Sequence, residues 1–222
     1  MAYPTAINRL RIVKIREVKR ESPTVKTFIF YDRLCGKAKP GQFVMVWIPG
    51  VDEVPMSLSN IRSNGLSSIS VANVGEATKT LHQRKPGDAL GIRGPYGNGF
   101  TLNSGKVMIV GGGTGLAPLV PLAEKLVGLT TKISFLLGAK TKDELVFLDR
   151  IETTLSKAEA RVIATTEDGS YGWQGLVTDP AERILMKERF NTIYACGPEQ
   201  MTHKMFLTAE RYNTPLQASL ER

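Results

Sequence analysis

Over the first hundred residues apolar and polar side chains alternate with a period of two. Arg9 to Val18 alternates apolar with charged side chains, and Val25 to Tyr31, Gln42 to Ile48 and Ser68 to Ala72 are β-branched or aromatic runs bounded by Gly, Pro, Asn and Asp. That period belongs to half-buried strands, and several short strands at this spacing predict a closed antiparallel β-barrel. A short helix from about Ala77 to Gln83 interrupts them, and Pro86-Gly-Asp88 reads as a turn. Gly94-Pro-Tyr-Gly-Asn-Gly99 is so rich in breakers that it is expected to be a loop.

After Ser104 the period changes. Apolar runs at Val107 to Val110, Ile133 to Leu137, Arg161 to Thr165 and Thr192 to Ala195 alternate with helical stretches at Leu116 to Val127, Phe147 to Ser156, Ala181 to Lys187 and Gln200 to Arg211. Apolar strands separated by helices predict an α/β doubly wound parallel sheet covered on both faces. The expected architecture is therefore a barrel domain over residues 1–103 and an α/β nucleotide-binding domain over 104–222. Ligands are expected at the carboxyl ends of the sheet strands and across the interdomain cleft.

The run Val107-Met-Ile-Val-Gly-Gly-Gly-Thr-Gly-Leu-Ala-Pro118 empties a strand into a glycine-rich turn that opens a helix. Gly111, Gly112, Gly113 and Gly115, with Thr114 between them, let the backbone turn sharply and approach a bound group, while the helix start offers unpaired N–H donors. This is a phosphate cradle, although its spacing is not that of the common dinucleotide fingerprint.

Composition narrows the class. With 42% hydrophobic and 23% charged residues, the 222-residue chain is an ordinary globular sequence. No apolar stretch approaches the roughly 20 residues of a membrane span, and the N-terminus lacks a basic stretch before an apolar core, so the cytoplasm is expected and a membrane partner is not. Cys35 and Cys196 lie too far apart for a disulfide framework or a metal site and are expected to be reduced. The net charge of +8 raises nucleic acid as a partner. Lys and Arg are nevertheless spread along the chain without an aromatic platform, which favours a basic solvated surface and an acidic partner over nucleic acid.

Four segments occur in order: Pro55-Met-Ser-Leu-Ser59, Val71-Ala-Asn-Val-Gly-Glu-Ala-Thr78, Gly111 to Gly115, and Ala195-Cys-Gly-Pro198. Together they resemble the ferredoxin reductase superfamily, in which a barrel holds a flavin and a parallel-sheet domain delivers a nicotinamide. With Gly94 to Phe100, Thr166-Glu-Asp-Gly-Ser-Tyr-Gly172 and Gly175-Leu-Val-Thr178, the order resembles more closely the electron transfer subunits of type B dihydroorotate dehydrogenase. The resemblance implies FAD, NAD(H), and a [2Fe-2S] cluster on a cysteine-rich loop. It also implies a catalytic dihydroorotate dehydrogenase subunit in a heterotetramer serving pyrimidine synthesis. Similar subunits serve ferredoxin:NADP oxidoreductases, sulfide dehydrogenases and hydrogenases; a non-catalytic nucleotide-binding or nucleic-acid-binding module is the remoter alternative. Leu216-Gln-Ala-Ser-Leu-Glu-Arg222 resembles the segment before the cluster loop, so a truncated chain is expected over a cluster-free relative. Cys35 and Cys196 do not have the cluster spacing.

The resemblance also assigns residues. Ser57 matches the hydroxyl beside flavin N5, Pro55 shares its segment, and Met56 and Leu58 would wall the isoalloxazine. Val71, Ala72 and Asn73 would line the ribityl and adenosine side. Gly75, Ala77 and Thr78 would present N–H groups and a capping hydroxyl to the flavin pyrophosphate. Val54 stands where many relatives carry an arginine, which leaves the helix start, with Lys79 or Arg93, to neutralise that charge. Gly111 to Gly115 would approach the NAD pyrophosphate, with Cys196, Gly197 and Pro198 near the nicotinamide ring. Lys140 could favour a 2′-phosphate, whereas Glu167 or Asp168 could prefer a ribose hydroxyl, and the family points to NADH. His82 and His203 read as surface or packing residues.

Overall fold

The structure, a computed structural model, describes residues 4–220. They form two compact units, one running through Phe100 and the other from Thr101. In the first, a short helix α1 (Pro4–Asn8) precedes β1 (Arg11–Arg20), β2 (Val25–Tyr31), β3 (Phe43–Ile48), β4 (Asp52–Ile61) and β5 (Leu66–Ala72). Helix α2 (Glu76–His82) then leads to β6 (Ala89–Tyr96). The six strands close into the expected antiparallel barrel in the order β1-β2-β5-β4-β3-β6. Alternation does the work the sequence assigned to it: Val13, Ile15, Phe28, Phe30, Val44 and Val46 point inward and are buried.

One expectation is overturned here. Gly94, Pro95 and Tyr96 are not loop but the last residues of β6. On β3 the pairing steps from Phe43↔Tyr96 to Met45↔Arg93, so the strand register shifts by one residue. That bulge absorbs Gly94, at φ +109°, and Pro95, which has no N–H to give. Breakers stop a strand only where the ladder needs every position.

A side-chain tie fastens the barrel's seam. Arg11 Nε donates to Asp32 Oδ2 at 2.6 Å and its Nη2 donates to the Gly94 carbonyl at 2.9 Å. Asp32 Oδ1 also accepts the Leu34 and Cys35 backbone N–H groups at 2.9 and 2.8 Å. Burial pushes the Asp32 carboxyl up, but the Arg11 and Cys35 hydrogen bonds outweigh it and hold the group below its ordinary value. Burial, with Asp32 alongside, pushes the Cys35 thiol up.

The second unit is a six-stranded parallel sheet. Its strands are β7 (Gly105–Gly112), β8 (Thr130–Ala139), β9 (Ala160–Thr166), β10 (Trp173–Gln174), β11 (Thr192–Cys196) and β12 (Leu216–Ser219), in the order β10-β9-β8-β7-β11-β12. Helices α3 (Leu116–Leu126), α4 (Leu148–Leu155), α5 (Thr178–Leu185) and α6 (Glu199–Arg211) connect them. Val107 to Val110 are all buried, as a strand covered on both faces requires. The chain winds outward through β8 and β9, then returns to lay β11 on the other side of β7. Beside β7 lies the switch point where such sheets bind ligands. At the opposite, amino edge, Glu188 accepts from Lys106 Nζ at 2.6 Å and Arg161 Nη1 at 2.8 Å. These cations, Lys106 foremost, pull its carboxyl down to about 2.

Candidate cofactor sites

On β4 the pleat sorts the assigned residues onto two faces. Val54 and Met56 pack against the barrel core, and Leu58 is fully buried in it. Pro55 and Ser57 therefore lie on the outer face, with Pro55 exposed and Ser57 half-buried. A period of two thus puts both Met56 and Leu58 on the inward side with Val54, away from a ring on the outer face. Val71 likewise belongs to the core, whereas Ala72 is half-buried and Asn73 exposed at the end of β5.

The start of α2 is shaped by one hydroxyl. Thr78 Oγ1 accepts the Val74 and Gly75 N–H groups at 3.0 and 2.9 Å and donates to the Gly75 carbonyl at 2.9 Å. Its capacity is used, so it holds the turn and offers nothing outward, contrary to the expected capping role toward a ligand. Gly75 is exposed, and a Cβ there would meet nothing within 4 Å. Ala77 packs on the barrel core. Arg93 is paired with Glu53, its Nε donating to Glu53 Oε1 at 2.7 Å and its Nη2 to Glu53 Oε2. Lys79 is the exposed cation on α2. The Glu53 partner was invisible in the sequence because the two residues lie forty positions apart and meet only through β3.

At the carboxyl edge of the sheet, registry brings Gly111 beside Cys196 and Gly112 beside Gly138. Three glycines of the turn are closely packed, Gly115 against backbone and Gly111 and Gly112 against side chains. A Cβ at Gly115 would lie 2.5 Å from the Cys196 carbonyl oxygen and the Gly197 backbone; one at Gly111 would lie 2.5 Å from Leu116; one at Gly112 would press on Met201 at 3.0 Å. Gly113 differs: its φ is +54°, and a Cβ would meet nothing within 4 Å. Thr114 beside it is half-buried. Cys196 and Gly197 are both buried, and Pro198 is the exposed residue where β11 ends at this edge.

Farther along the same edge, Asp168 Oδ1 accepts from Ser170 N–H at 3.0 Å and Ser170 Oγ at 2.6 Å. These bonds hold its carboxyl below the ordinary value. The Glu167 and Asp168 N–H groups bond to the Ala139 and Lys140 carbonyls, so the loops after β8 and β9 are tied together. His82 is a packing residue, its Nε2 lying 2.8 Å from the Val71 carbonyl, and His203 is exposed on α6. Sequence reading missed Val177, which seats on Gly138 as α5 begins, and the buried hydroxyl of Thr178 beside it.

Residues 109–205 match the oxidoreductase NAD-binding domain family. A protein of Methanocaldococcus jannaschii named a probable dihydroorotate dehydrogenase B (NAD(+)) electron transfer subunit is 44% identical over 211 residues, covering 95% of this chain and 77% of its own. One of the same name from Thermococcus kodakarensis is 42% identical, covering 96% and 84%. Among solved structures, that of an NADH-dependent reduced ferredoxin-NADP oxidoreductase, described for flavin-based electron bifurcation, is 32% identical with a TM-score of 0.84, covering 95% of this chain and 76% of the other. A Neisseria gonorrhoeae ferredoxin NADP+ reductase with bound FAD and NADP shares the fold, with a TM-score of 0.80 at 17% identity, covering 95% and 99%.

Proposed function

The chain belongs to the family of dihydroorotate dehydrogenase B electron transfer subunits, and from that premise we propose that it holds FAD on the barrel and NAD(H) at the sheet's glycine turn. It passes electrons between NAD(H) and a separate catalytic subunit acting on dihydroorotate in pyrimidine synthesis, as a heterotetramer in the cytoplasm. The observation that supports this most is Gly75. Packing accounts for Gly111, Gly112 and Gly115 and the left-handed φ of +54° for Gly113, but neither accounts for Gly75, whose backbone is extended and whose Cβ position opens on empty space.

The residues present fit both nucleotides. Open space over Gly75 suits a pyrophosphate at the α2 turn, where the first N–H groups of the helix lack intrahelical partners. Lys79 supplies the nearby charge. Ser57, on the outer face of β4, would offer its hydroxyl to the reactive ring edge, and Pro55 would sit alongside it. Gly113 and Thr114 would admit the NAD pyrophosphate, and the Gly197–Pro198 backbone would flank the nicotinamide. Asp168, fixed by Ser170, would accept ribose hydroxyls and repel a 2′-phosphate, favouring NADH. When bound, the flavin supplies the conversion of a two-electron hydride into single electrons; the protein contributes binding and orientation.

The described residues do not fit an iron–sulfur cluster. Among them no three His, Cys, Asp or Glu side chains are grouped to hold a metal, and Cys35 and Cys196 are buried thiols. A ferredoxin-NADP-type oxidoreductase subunit is the second reading, favoured by the 32% identical structure.

Acid release should yield FAD in about equimolar amount, and FMN alone or no flavin after reconstitution would remove the barrel assignment. Ser57→Ala should slow flavin reduction by NADH about tenfold while leaving FAD occupancy within about twofold. The chain should bind the catalytic subunit and reduce small dyes from NADH, while dihydroorotate-dependent NAD reduction should need the family's cysteine-rich loop as well. Coupling to ferredoxin instead would select the second reading.

A further inference from the structure

We propose that the outer face of the barrel around β1, β6 and β3 docks an acidic surface of the catalytic partner, an inference that rests on the function proposed above. Lys and Arg are shared almost evenly, 15 through Phe100 and 14 from Thr101, but Asp and Glu number 7 and 14. The whole net charge of +8 therefore belongs to the barrel unit, and the sheet unit is neutral.

The excess is concentrated on β1, whose ten residues hold five cations against Glu17. Its pleat turns Val13 and Ile15 inward and leaves Ile12, Lys14 and Arg16 exposed. Among the described residues Lys14 and Arg16 make no ion pair. Apolar surface lies beside them. Ile12 faces Gly91 on β6, and Gly91 faces Trp47 on β3. A Cβ at Gly91 would lie 2.7 Å from Leu10 and 2.9 Å from Trp47, so these side chains close over the glycine. Leu10 and Ile12 remain 40% and 60% exposed.

An apolar strip beside a net excess of cations, Lys14 and Arg16 outnumbering Glu17 on β1, has the makeup of a protein interface, with the strip as its core and the cations as its rim. The cations would steer an acidic partner into place, and the strip would slow its departure. A polyphosphate backbone would satisfy Lys14 and Arg16 but leave Ile12 and Leu10 uncovered, which favours a protein.

The test measures association of the FAD-loaded chain with its catalytic subunit as a function of salt. Lys14→Glu combined with Arg16→Glu should slow association about tenfold at low salt, and the difference should shrink as salt screens it. Lys125→Glu combined with Lys187→Glu, at exposed sites of the sheet unit, should stay within about twofold. Ile12→Asp should speed dissociation about tenfold. NADH-driven dye reduction should be unchanged throughout. A β1 reversal within about twofold of the parent, an equal effect of the control pair, or equally tight Lys14- and Arg16-dependent binding of a single-stranded oligonucleotide would each overturn the proposal. A parent chain that holds FAD and reduces dye yet never binds the catalytic subunit would overturn the partner assignment, and this docking face with it.

Discussion

Two glycine-led helix starts, one in each unit, use glycine for opposite reasons. In the sheet, Gly115 is a packing residue: its Cα touches the β11 end so closely that any side chain would collide with backbone at 2.5 Å. In the barrel, Gly75 is extended, at φ −154°, and nothing stands within 4 Å of its Cβ position. Neither backbone conformation nor packing demands glycine there. The lesson is that a glycine-led turn mixes residues the fold needs with residues only a ligand needs, and that the sign of φ together with contact at a built Cβ separates them.

The sharpest way to break this contrast is Gly115→Ala. Backbone cannot yield as a flexible side chain does, so the sheet unit should lose about 3 kcal/mol or more. Thermal unfolding followed by circular dichroism would check it, and a loss under about 1 kcal/mol would mean the turn relaxes easily.

The next effect contrasts the backbone-packed sheet with a barrel fastened by side chains. Asp32 has a folded pKa below its ordinary 3.8, so its stabilisation is present above that value and is lost as pH falls through the folded one. Asp32→Asn should cost about 2 kcal/mol near neutrality and flatten the barrel's acid dependence. Glu188 should continue to titrate the sheet between its ordinary 4.5 and about 2. Urea unfolding at several pH values, read by a probe in each unit, separates the two.

Gly113→Val comes third. A β-branched residue at φ +54° should cost about 1–2 kcal/mol of strain. In open space the side chain should also hold the dinucleotide off and weaken NADH about tenfold with flavin retained. Stopped-flow reduction at rising NADH reads this, and unchanged apparent affinity would make all four glycines structural. Smallest is Gly75→Ala, expected to leave stability within about 0.5 kcal/mol while lowering FAD affinity. A stability loss as large as that of Gly115→Ala would erase the contrast.

Much of this was legible in the sequence where a period was long enough to count. Val25 to Tyr31 is a strand with the bounds its alternation sets, and the four apolar runs after Ser104 all lie in the parallel sheet. The end of β6 was misread because breaker content does not say whether a bulge will take the breakers in. α1, β10 and β12 are too short to show a period. At the site, the glycine cluster could be seen but not sorted, since sorting needs the neighbours of Gly111, Gly112 and Gly115. The inward face of Leu58 and the Glu53 partner of Arg93 are matters of register, which the sequence alone does not show.

The strand order has a bearing on colloidal behaviour. A closed barrel has no free edge, but the parallel sheet ends in β10, two residues long, and β12, four. Unpaired strand rims are templates for foreign chains, and such brief ones offer few amides to copy. The long, strongly apolar β7 and β8 lie inside these short guards. Fraying of β12 would bare the rim of β11, whose five residues are all buried in the intact sheet. Self-association under mild heat should therefore begin there, with the barrel as a bystander.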